Sequence, residues 1–368
     1  MPGFSAADSA FMARALRLAV RGQYTAHPNP MVGCVIVSGD AIVGEGWHEV
    51  AGEAHAEINA LRAAGDRARG ATAYVTLEPC AHHGKTPPCT RALIDAGVAE
   101  VVFALDDPYP DVDGRGEQAL ITAGIMVRKG LMRESVAQLL AGFLSRNARG
   151  RPRVRLKLAS SLDGRIAMAD GQSQWITGRD ARADVQRLRA RAGAIMTGIG
   201  TVLADDPSLT VRADAIDTRG RQPLRAVLDS RLRMPLTAKM LNLPGKTLVY
   251  CASDVERQRL TDAGAVVIRS SGDAAAVDLR QVLADLARRE VNDVLVEAGP
   301  RLAGALIEQK LLDELVIYQA PHIMGSETIG MFATPTWSAL ADRQNVTITD
   351  VRRVGDDTRI TAAVIQGN

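Results

Sequence analysis

The sequence predicts an α/β protein built as two domains, and three observations carry that prediction. The chain has 368 residues, more than one hydrophobic core usually serves. Helix-like and strand-like hydrophobic patterns alternate along both halves. Between them lies "RNARGRPRVR", residues 146–155, with five arginines, a glycine and a proline. That segment reads as a solvated connector and divides the chain into 1–147 and 148–368. It offers no aromatic side chain to stack on bases, so a nucleic-acid patch is the weaker reading.

Residues 8–22 have helical spacing. "MVGCVIVSGD" and "AIVGEGWHEV" are β-branched runs joined at Ser38-Gly39-Asp40, which reads as a hairpin. A helix from about His55 to Ala64, a strand at "ATAYVTL", a helix from Cys89 to Ala96 and a strand at "AEVVFAL" follow. The second half opens with the strand "VRLKLASS". Further strands are expected at "AIMTGIG", "LRAVLDS", "TLVYCAS", "AVVIRS", "DVLVEAG" and "ELVIYQAP", with helices over 179–191, 276–290 and 301–310. The tail reads as a hairpin turning at Gly355-Asp356-Asp357. The halves show no internal repeat and no low-complexity tract, so they are expected to do different work.

With 46% hydrophobic residues the chain can bury both cores. Charged residues make up 23% and the net charge is +2, so no strong basic field recruits nucleic acid. The first twenty residues lack the basic start and apolar run of a signal peptide, and no apolar run approaches the roughly 20 residues of a membrane span. A cytoplasmic small-molecule enzyme is the expectation. Cys34, Cys80, Cys89 and Cys251 are too few for a disulfide framework of this length, which turns attention to metal binding or burial.

The segment "EPCAHHGKTPPCT" crowds thiols, imidazoles and a lysine into one loop, and "GEAHAEINAL" places His55 and Glu57 at the start of a helix upstream. One imidazole and two thiolates, from His55, Cys80 and Cys89, are a three-ligand set for zinc that leaves a fourth position open, as catalytic sites require. Glu57 is then available to move protons. Zinc nucleobase deaminases carry H-x-E followed by P-C-x-x-C; here eight residues separate the cysteines. A structural zinc site is therefore the competing reading. The longer loop carries His82, His83, Lys85 and Thr86 past the metal, toward an anionic or hydrogen-bonding substrate. Gly84-Lys85-Thr86 is not a nucleotide-triphosphate loop, because Pro79 stands where that motif begins with glycine. In the second half "GIGTVL" lacks the last glycine of a dinucleotide fingerprint. "VLVEAGPRLAGAL" offers instead a strand, a glycine turn and a helix whose first amides can receive a phosphate.

The segments "HPNPMVGCVIV", "GWHEVAGEAHAE" and "EPCAHHGKTPPCT" resemble the deaminase half of the bifunctional riboflavin-biosynthesis deaminase-reductases. "KLASSLDGRIA", "SQWITG", "LADDPSLTVR" and "VEAGPRLAGALI" resemble their reductase half, and the match spans nearly the whole chain in the family's order. The resemblance implies a cytidine-deaminase-like three-layer domain followed by a dihydrofolate-reductase-like α/β domain. It also implies zinc and NADPH as cofactors, a phosphorylated pyrimidine as substrate and self-association through the reductase domain. The substrate would be 2,5-diamino-6-ribosylamino-4(3H)-pyrimidinone 5′-phosphate, which loses its 2-amino group as ammonia before its ribosyl chain is reduced.

For the first domain the resemblance implies zinc on His55, Cys80 and Cys89, Glu57 as general acid and base, and a pocket lined by Asn29, His48, His82 and Lys85. For the second it implies cofactor contacts at Ala159, Trp175, Thr201, Asp205 and Ser230, with Gly299, Pro300, Arg301, Leu302, Ala303, Gly304 and Ala305 around the pyrophosphate. Substrate contacts would fall at Ser173, Arg189, Leu209, Arg212 and Glu297, while Lys157 and Asp163 would assist ring opening and hydride transfer. Duller readings stand beside these. Asn29 lies between prolines and suits a turn, His48 suits a surface strand end, Arg189 suits a solvated helix face and Asp163-Gly164 suits an ordinary turn. Two other functions compete, a single-activity deaminase of nucleosides or RNA and a zinc-stabilised interaction protein.

Overall fold

The computed structural model describes residues 3–81, 88–109, 114–252, 257–270 and 276–365. The chain forms two compact units, Met1–Arg149 and Gly150–Asn368.

The first unit begins with α1 (Ala6–Val20), whose start is fixed by a capping box between Ser5 and Asp8. The hairpin β1 (Gly33–Ser38) and β2 (Ala41–Trp47) follows, then α2 (Ala56–Ala64), β3 (Thr72–Val75), α3 (Cys89–Asp95) and β4 (Glu100–Phe103). The sequence reading ends there, whereas the structure continues with α4 (Arg115–Thr122), β5 (Met126–Lys129), α5 (Arg133–Leu139) and α6 (Ala141–Arg149). β5 escapes detection because "MVRK" at a sheet edge has no apolar alternation.

The sheet order is β2-β1-β3-β4-β5, with β1 antiparallel to both neighbours and β3, β4 and β5 parallel. Alternate side chains bury on opposite faces. Val35, Val37, Tyr74 and Val102 meet Met12, Ala15, Val136 and Phe143 from α1, α5 and α6. Cys34, Ile36, Val75, Val101 and Phe103 meet Ala56, Ala60, Leu93 and Leu120 from α2, α3 and α4. The unit is thus three layers deep.

The second unit contains β6 (Arg153–Ser160), β7 (Arg165–Ala167), α7 (Arg179–Arg191), β8 (Ala194–Gly198), α8 (Ile199–Asp205), β9 (Leu224–Leu228), β10 (Thr247–Cys251), α9 (Arg257–Asp262) and β11 (Val266–Arg269). It ends with α10 (Leu279–Arg288), β12 (Asp293–Glu297), α11 (Pro300–Glu308), β13 (Glu314–Gln319), β14 (Ile329–Gly330), β15 (Val346–Val354) and β16 (Asp357–Val364). Nine strands run in the order β11-β10-β9-β8-β12-β6-β13-β16-β15, while β7 and β14 form a separate ribbon. From β11 to β13 all neighbours are parallel; the closing hairpin is antiparallel. α10 and α11 cover one face of the sheet, and α7 covers the other against Leu295, Val316 and Tyr318. The Asp357 carboxylate accepts the Gly178 amide at 2.8 Å, so the hairpin turn caps α7.

The arginine-rich segment is not the solvated connector that its composition suggests. α6 continues through Arg149 and β6 starts at Arg153, and the arginines between and beyond them are paired. Arg151 makes a bidentate pair with Asp313 at 2.7 and 2.8 Å, and Arg153 and Arg155 both reach Glu314. Their carboxylate partners lie more than 150 positions downstream, outside any local window. Among the described residues no helix is long and apolar enough to cross a membrane.

Candidate functional site

α2 is seated on the hairpin by two glycines. A side-chain carbon at Gly44 would strike the Ala60 carbonyl, and one at Gly46 would strike the Ala56 carbonyl and the Ala60 amide. The helix therefore lies directly on the backbone of β2, an approach that only glycine permits. His55 is the N-cap of that helix, with extended backbone at φ −72° and ψ 165°, and Glu57 lies in its first turn. Cys89 is the first residue of α3. The Cys80 carbonyl accepts both the amide and the hydroxyl of Thr90 at 3.2 Å, which brings the two ends of the cysteine loop together.

His55 Nδ1 lies 3.2 Å from Cys89 Sγ and 3.6 Å from Cys80 Sγ, and one ligand atom from each of the three residues lies within 4.8 Å of the others. A tetrahedral zinc ion with ordinary bond lengths separates its nitrogen and sulfur ligands by about 3.6 Å and two sulfurs by about 3.8 Å. The donor set fits that ion in type and spacing. None of the four cysteines is in a disulfide. The Cys89 thiol and then His55 hold Cys80 well below the ordinary thiol range, while Cys80 and burial push Cys89 up. Hydrogen bonding to Cys80 raises His55. Glu57 is 3% exposed, and burial, aided by the charge of Cys80, pushes its carboxyl up to about 7.

A bracing residue escaped the sequence reading. The buried Glu78 carboxylate accepts the amides of Asp107, Gly114 and Glu117 at 3.3, 3.2 and 3.1 Å and so fixes the chain two residues before Cys80. Its position ahead of Pro79-Cys80 was the available signal.

Asn29 and His48 meet. His48 Nδ1 lies 3.2 Å from the Ala54 carbonyl, which only accepts, so Nδ1 carries the proton and Nε2 accepts from Asn29 Nδ2 at 3.0 Å. His48 is buried rather than on the surface, its pKa is lowered by that burial, and its ring stands edge-on to His55 with centroids 5.4 Å apart. His82 and Lys85 lie outside the described residues.

In the second unit the expected positions collect along one edge of the sheet. β9, β8, β12 and β6 are parallel neighbours. Ala159 is near the carboxyl end of β6, Thr201 follows β8, Ser230 follows β9, and Glu297 and Gly299 end and follow β12. Open α/β sheets bind ligands at that edge. Gly299 is the N-cap of α11 and Pro300 its first residue, and the glycine offers no side chain to cap the first amides. Arg301, Leu302, Ala303, Gly304 and Ala305 continue the helix, with Gly304 pressed on the Ala333 carbonyl. Trp175 is 71% exposed, with the Arg182 guanidinium 4.6 Å from its ring centroid, and neighbouring Gln174 donates to Asp205 at 3.4 Å. Ser173 is half-buried in the same loop. Ser230 Oγ accepts the Val277 amide at 3.2 Å.

Strand alternation explains the charged cluster beside this edge. Lys157 pairs in register with Glu297 and with Val316, so all three face α7. Arg189 reaches down from α7 and grips Glu297 through two bonds of 2.6 and 2.9 Å, while donating to the Thr210 carbonyl at 3.1 Å. Arg189 is 8% exposed, not on a solvated face. Both residues were expected to face substrate, yet much of their hydrogen-bonding capacity is spent on each other. Burial lowers the Lys157 pKa, Arg189 adds to the effect and Glu297 opposes it. Arg212 is exposed, adds to the positive charge acting on Glu297 and donates to Ser208 Oγ at 3.2 Å. Leu209 is buried at φ 45°. Asp163 fastens a loop. It accepts from Ser161 Oγ at 2.5 Å and from the Met324 and Gly325 amides at 3.0 and 2.8 Å, bonds that lower its pKa to about 2.

Comparisons with known proteins follow the same division. Residues 5–105 match the cytidine and deoxycytidylate deaminase zinc-binding region, and residues 152–360 match the RibD C-terminal domain. The chain is 48% identical to the riboflavin biosynthesis protein RibD of Escherichia coli (strain K12), over 95% of this chain and 97% of that one. It is 44% identical to the protein of that name from Haemophilus influenzae, over 97% and 98%. Among solved structures it is similar to Acinetobacter baumannii RibD, with TM-score 0.92 and 46% identity over 98% of this chain and 99% of that one. A Thermotoga maritima diaminohydroxyphosphoribosylaminopyrimidine deaminase/5-amino-6-(5-phosphoribosylamino)uracil reductase gives TM-score 0.85 at 31% identity over the same shares.

Proposed function

The chain belongs to the family of bifunctional riboflavin-biosynthesis proteins that join a zinc-binding deaminase domain to a reductase domain, and on that premise we propose which of its residues carry each reaction. It is a zinc-dependent deaminase and an NADPH-dependent reductase of riboflavin biosynthesis.

In the first unit His55, Cys80 and Cys89 hold the metal. Zinc, when bound, supplies Lewis acidity that brings the pKa of water toward neutrality. Glu57 takes a proton from the attacking water and returns it to the leaving amine, so that the 2-amino group of the pyrimidine departs as ammonia. Asn29, oriented by His48, faces the ring with its amide, and His82 and Lys85 meet the polar and phosphorylated end. The observation that carries this reading is the convergence of one imidazole nitrogen and two sulfurs within 4.8 Å of one another in the unit that holds the buried Glu57 carboxylate.

In the second unit the uncapped start of α11 receives the pyrophosphate of NADPH, which supplies the hydride. Ala159, Trp175, Thr201, Asp205 and Ser230 line the rest of the cofactor crevice. Lys157 delivers a proton to the sugar ring oxygen as the bond to C1′ opens. Arg189 and Glu297 hold Lys157 and the floor of the site as a rigid pair. Ser173, Leu209 and Arg212 bound the substrate, and the Arg212 guanidinium faces its phosphate. Asp163 fastens the adjoining loop and, after Lys157, is the second candidate for assisting ring opening and hydride transfer.

The substrate is the 2,5-diamino-6-ribosylamino-pyrimidinone 5′-phosphate, and the deaminated product passes to reduction. Purified protein given this compound and NADPH should release ammonia and oxidise NADPH. Supplied with the deaminated compound, it should oxidise NADPH without ammonia. NADPH loss with no dependence on the pyrimidine would refute the assignment. Self-association through the second unit belongs to the same proposal and is supported by Val346, Ile348 and Val351, exposed on the edge strand β15. A cytoplasmic setting is supported by four cysteines that form no disulfide.

A further inference from the structure

Residues 206–223 run from the end of α8 to the start of β9 with neither helix nor strand among them, yet they carry Leu209 and Arg212. Backbone groups outside a ladder need other partners, among them side chains. Three consecutive residues are held this way. The Thr210 carbonyl accepts from Arg189 at 3.1 Å, and the Arg212 amide donates to Gln186 Oε1 at 2.8 Å. Between them both backbone groups of Val211 are taken by one carboxamide. The Val211 amide donates to Gln222 Oε1 at 2.9 Å, and Gln222 Nε2 donates to the Val211 carbonyl at 3.1 Å. Gln222 thus imitates one rung of a β-ladder.

The rung is anchored at its base. Next to Gln222, the Arg221 guanidinium donates to the Ala190 and Ala192 carbonyls at the end of α7, the helix that carries Arg189. Beyond Gln222, Pro223 leads into β9, which is paired on both sides in the sheet. At Val211 the segment before Arg212 is therefore referred to the sheet through one planar side chain, flanked by the Arg189 and Gln186 bonds to its neighbours.

We infer that Gln222 is a positioning residue of the reductase, which aims the Arg212 guanidinium by locking the peptide groups on either side of Val211. This rests on the reading of Arg212 as the phosphate contact. Gln222 itself touches neither substrate nor cofactor in this assignment, so its removal should weaken recognition of the phosphorylated substrate and spare the chemical step.

The test is a double-mutant cycle on the full-length, zinc-loaded enzyme, following NADPH oxidation with the deaminated pyrimidine phosphate. Gln222→Ala should raise its KM about tenfold, the loss of two hydrogen bonds, with kcat, the KM for NADPH and ammonia release by the deaminase within about twofold. Arg212→Ala should raise the same KM at least as far, and Gln222→Ala should add nothing on top of it. Gln222→Glu keeps the acceptor for the Val211 amide and loses the donor, so its KM should fall between. A double mutant whose effects multiply would overturn the inference, as would a Gln222→Ala enzyme with a lowered kcat or an unchanged KM. If Gln222→Ala does not fold, Gln222→Glu decides alone, a wild-type KM counting against. An unchanged KM in Arg212→Ala would instead sink the phosphate reading, and this inference with it.

Discussion

The two units place their reactive groups by opposite means. In the first, His55, Glu57 and Cys89 sit at the starts of two helices, and the helix bearing His55 and Glu57 is set on the sheet by Gly44 and Gly46. In the second, Lys157 and Glu297 come from neighbouring strands, the positions proposed to face the cofactor come from strand ends and the segments that follow them, and Arg189 comes from a covering helix. The first arrangement hangs its chemistry on helix ends, beside the core. The second runs it through the core, because Arg189 and Glu297 are both nearly buried and hold the sheet to α7. Neutralising the key carboxylate should therefore cost activity alone in the deaminase, and activity together with stability in the reductase.

Glu57→Gln gives the largest effect. Ammonia release should fall on the order of 10³-fold, the scale of losing a general acid and base. Zinc content by elemental analysis, thermal midpoint and NADPH oxidation with deaminated substrate should stay as in the parent. A chelator that strips the metal should likewise stop ammonia release and leave reduction of the deaminated compound running. Glu297→Gln should remove one partner of a buried pair, lowering stability by about 3 kcal/mol in urea unfolding while reduction fails. A stable but inactive Glu297→Gln protein would break the comparison. Gly46→Ala sharpens it from the other side, since the added methyl meets backbone. It should lower stability by about 2 kcal/mol and weaken zinc retention, because the helix carrying His55 has to move.

The smallest effect concerns pH. Asp163 is held by Ser161 and the Met324 and Gly325 amides to a pKa of about 2, below the ordinary value. A lowered carboxyl pKa contributes stability that is complete above its unfolded value of about 3.9 and lost as pH falls through the folded one. The Met324 and Gly325 amide resonances should therefore shift with a midpoint at about 2. A midpoint near 4 would show that the carboxylate does not hold this loop.

Much of the first unit was legible because its signals are short in range. The hairpin at Ser38-Gly39-Asp40, the helix after His55 and the paired cysteines all lie within windows that local patterning covers. Glu78 was not legible, because its three amide donors follow some 30 to 40 residues later, from Asp107 to Glu117. In the second unit the strands were readable from β-branched runs, but the partners of its charges were not. Arg153 and Arg155 find Glu314, and Arg189 finds Glu297, across gaps that only strand order closes. Charge alone in a local window looked like solvation. Asp163-Gly164 looked like a turn or an acid, and the carboxylate proves to bind two amides from a loop 161 and 162 positions on.

The seating of α2 on Gly44 and Gly46 has a bearing on how this chain can tolerate change. The metal ligand takes its coordinates from contact between helix and sheet, not from the tether that joins them. Exposed Gly52 and Glu53 are therefore released from any duty of measurement, and an insertion between them would bulge outward into solvent while Glu49 and Ala51 stay bonded to Thr25 and His55 keeps its place.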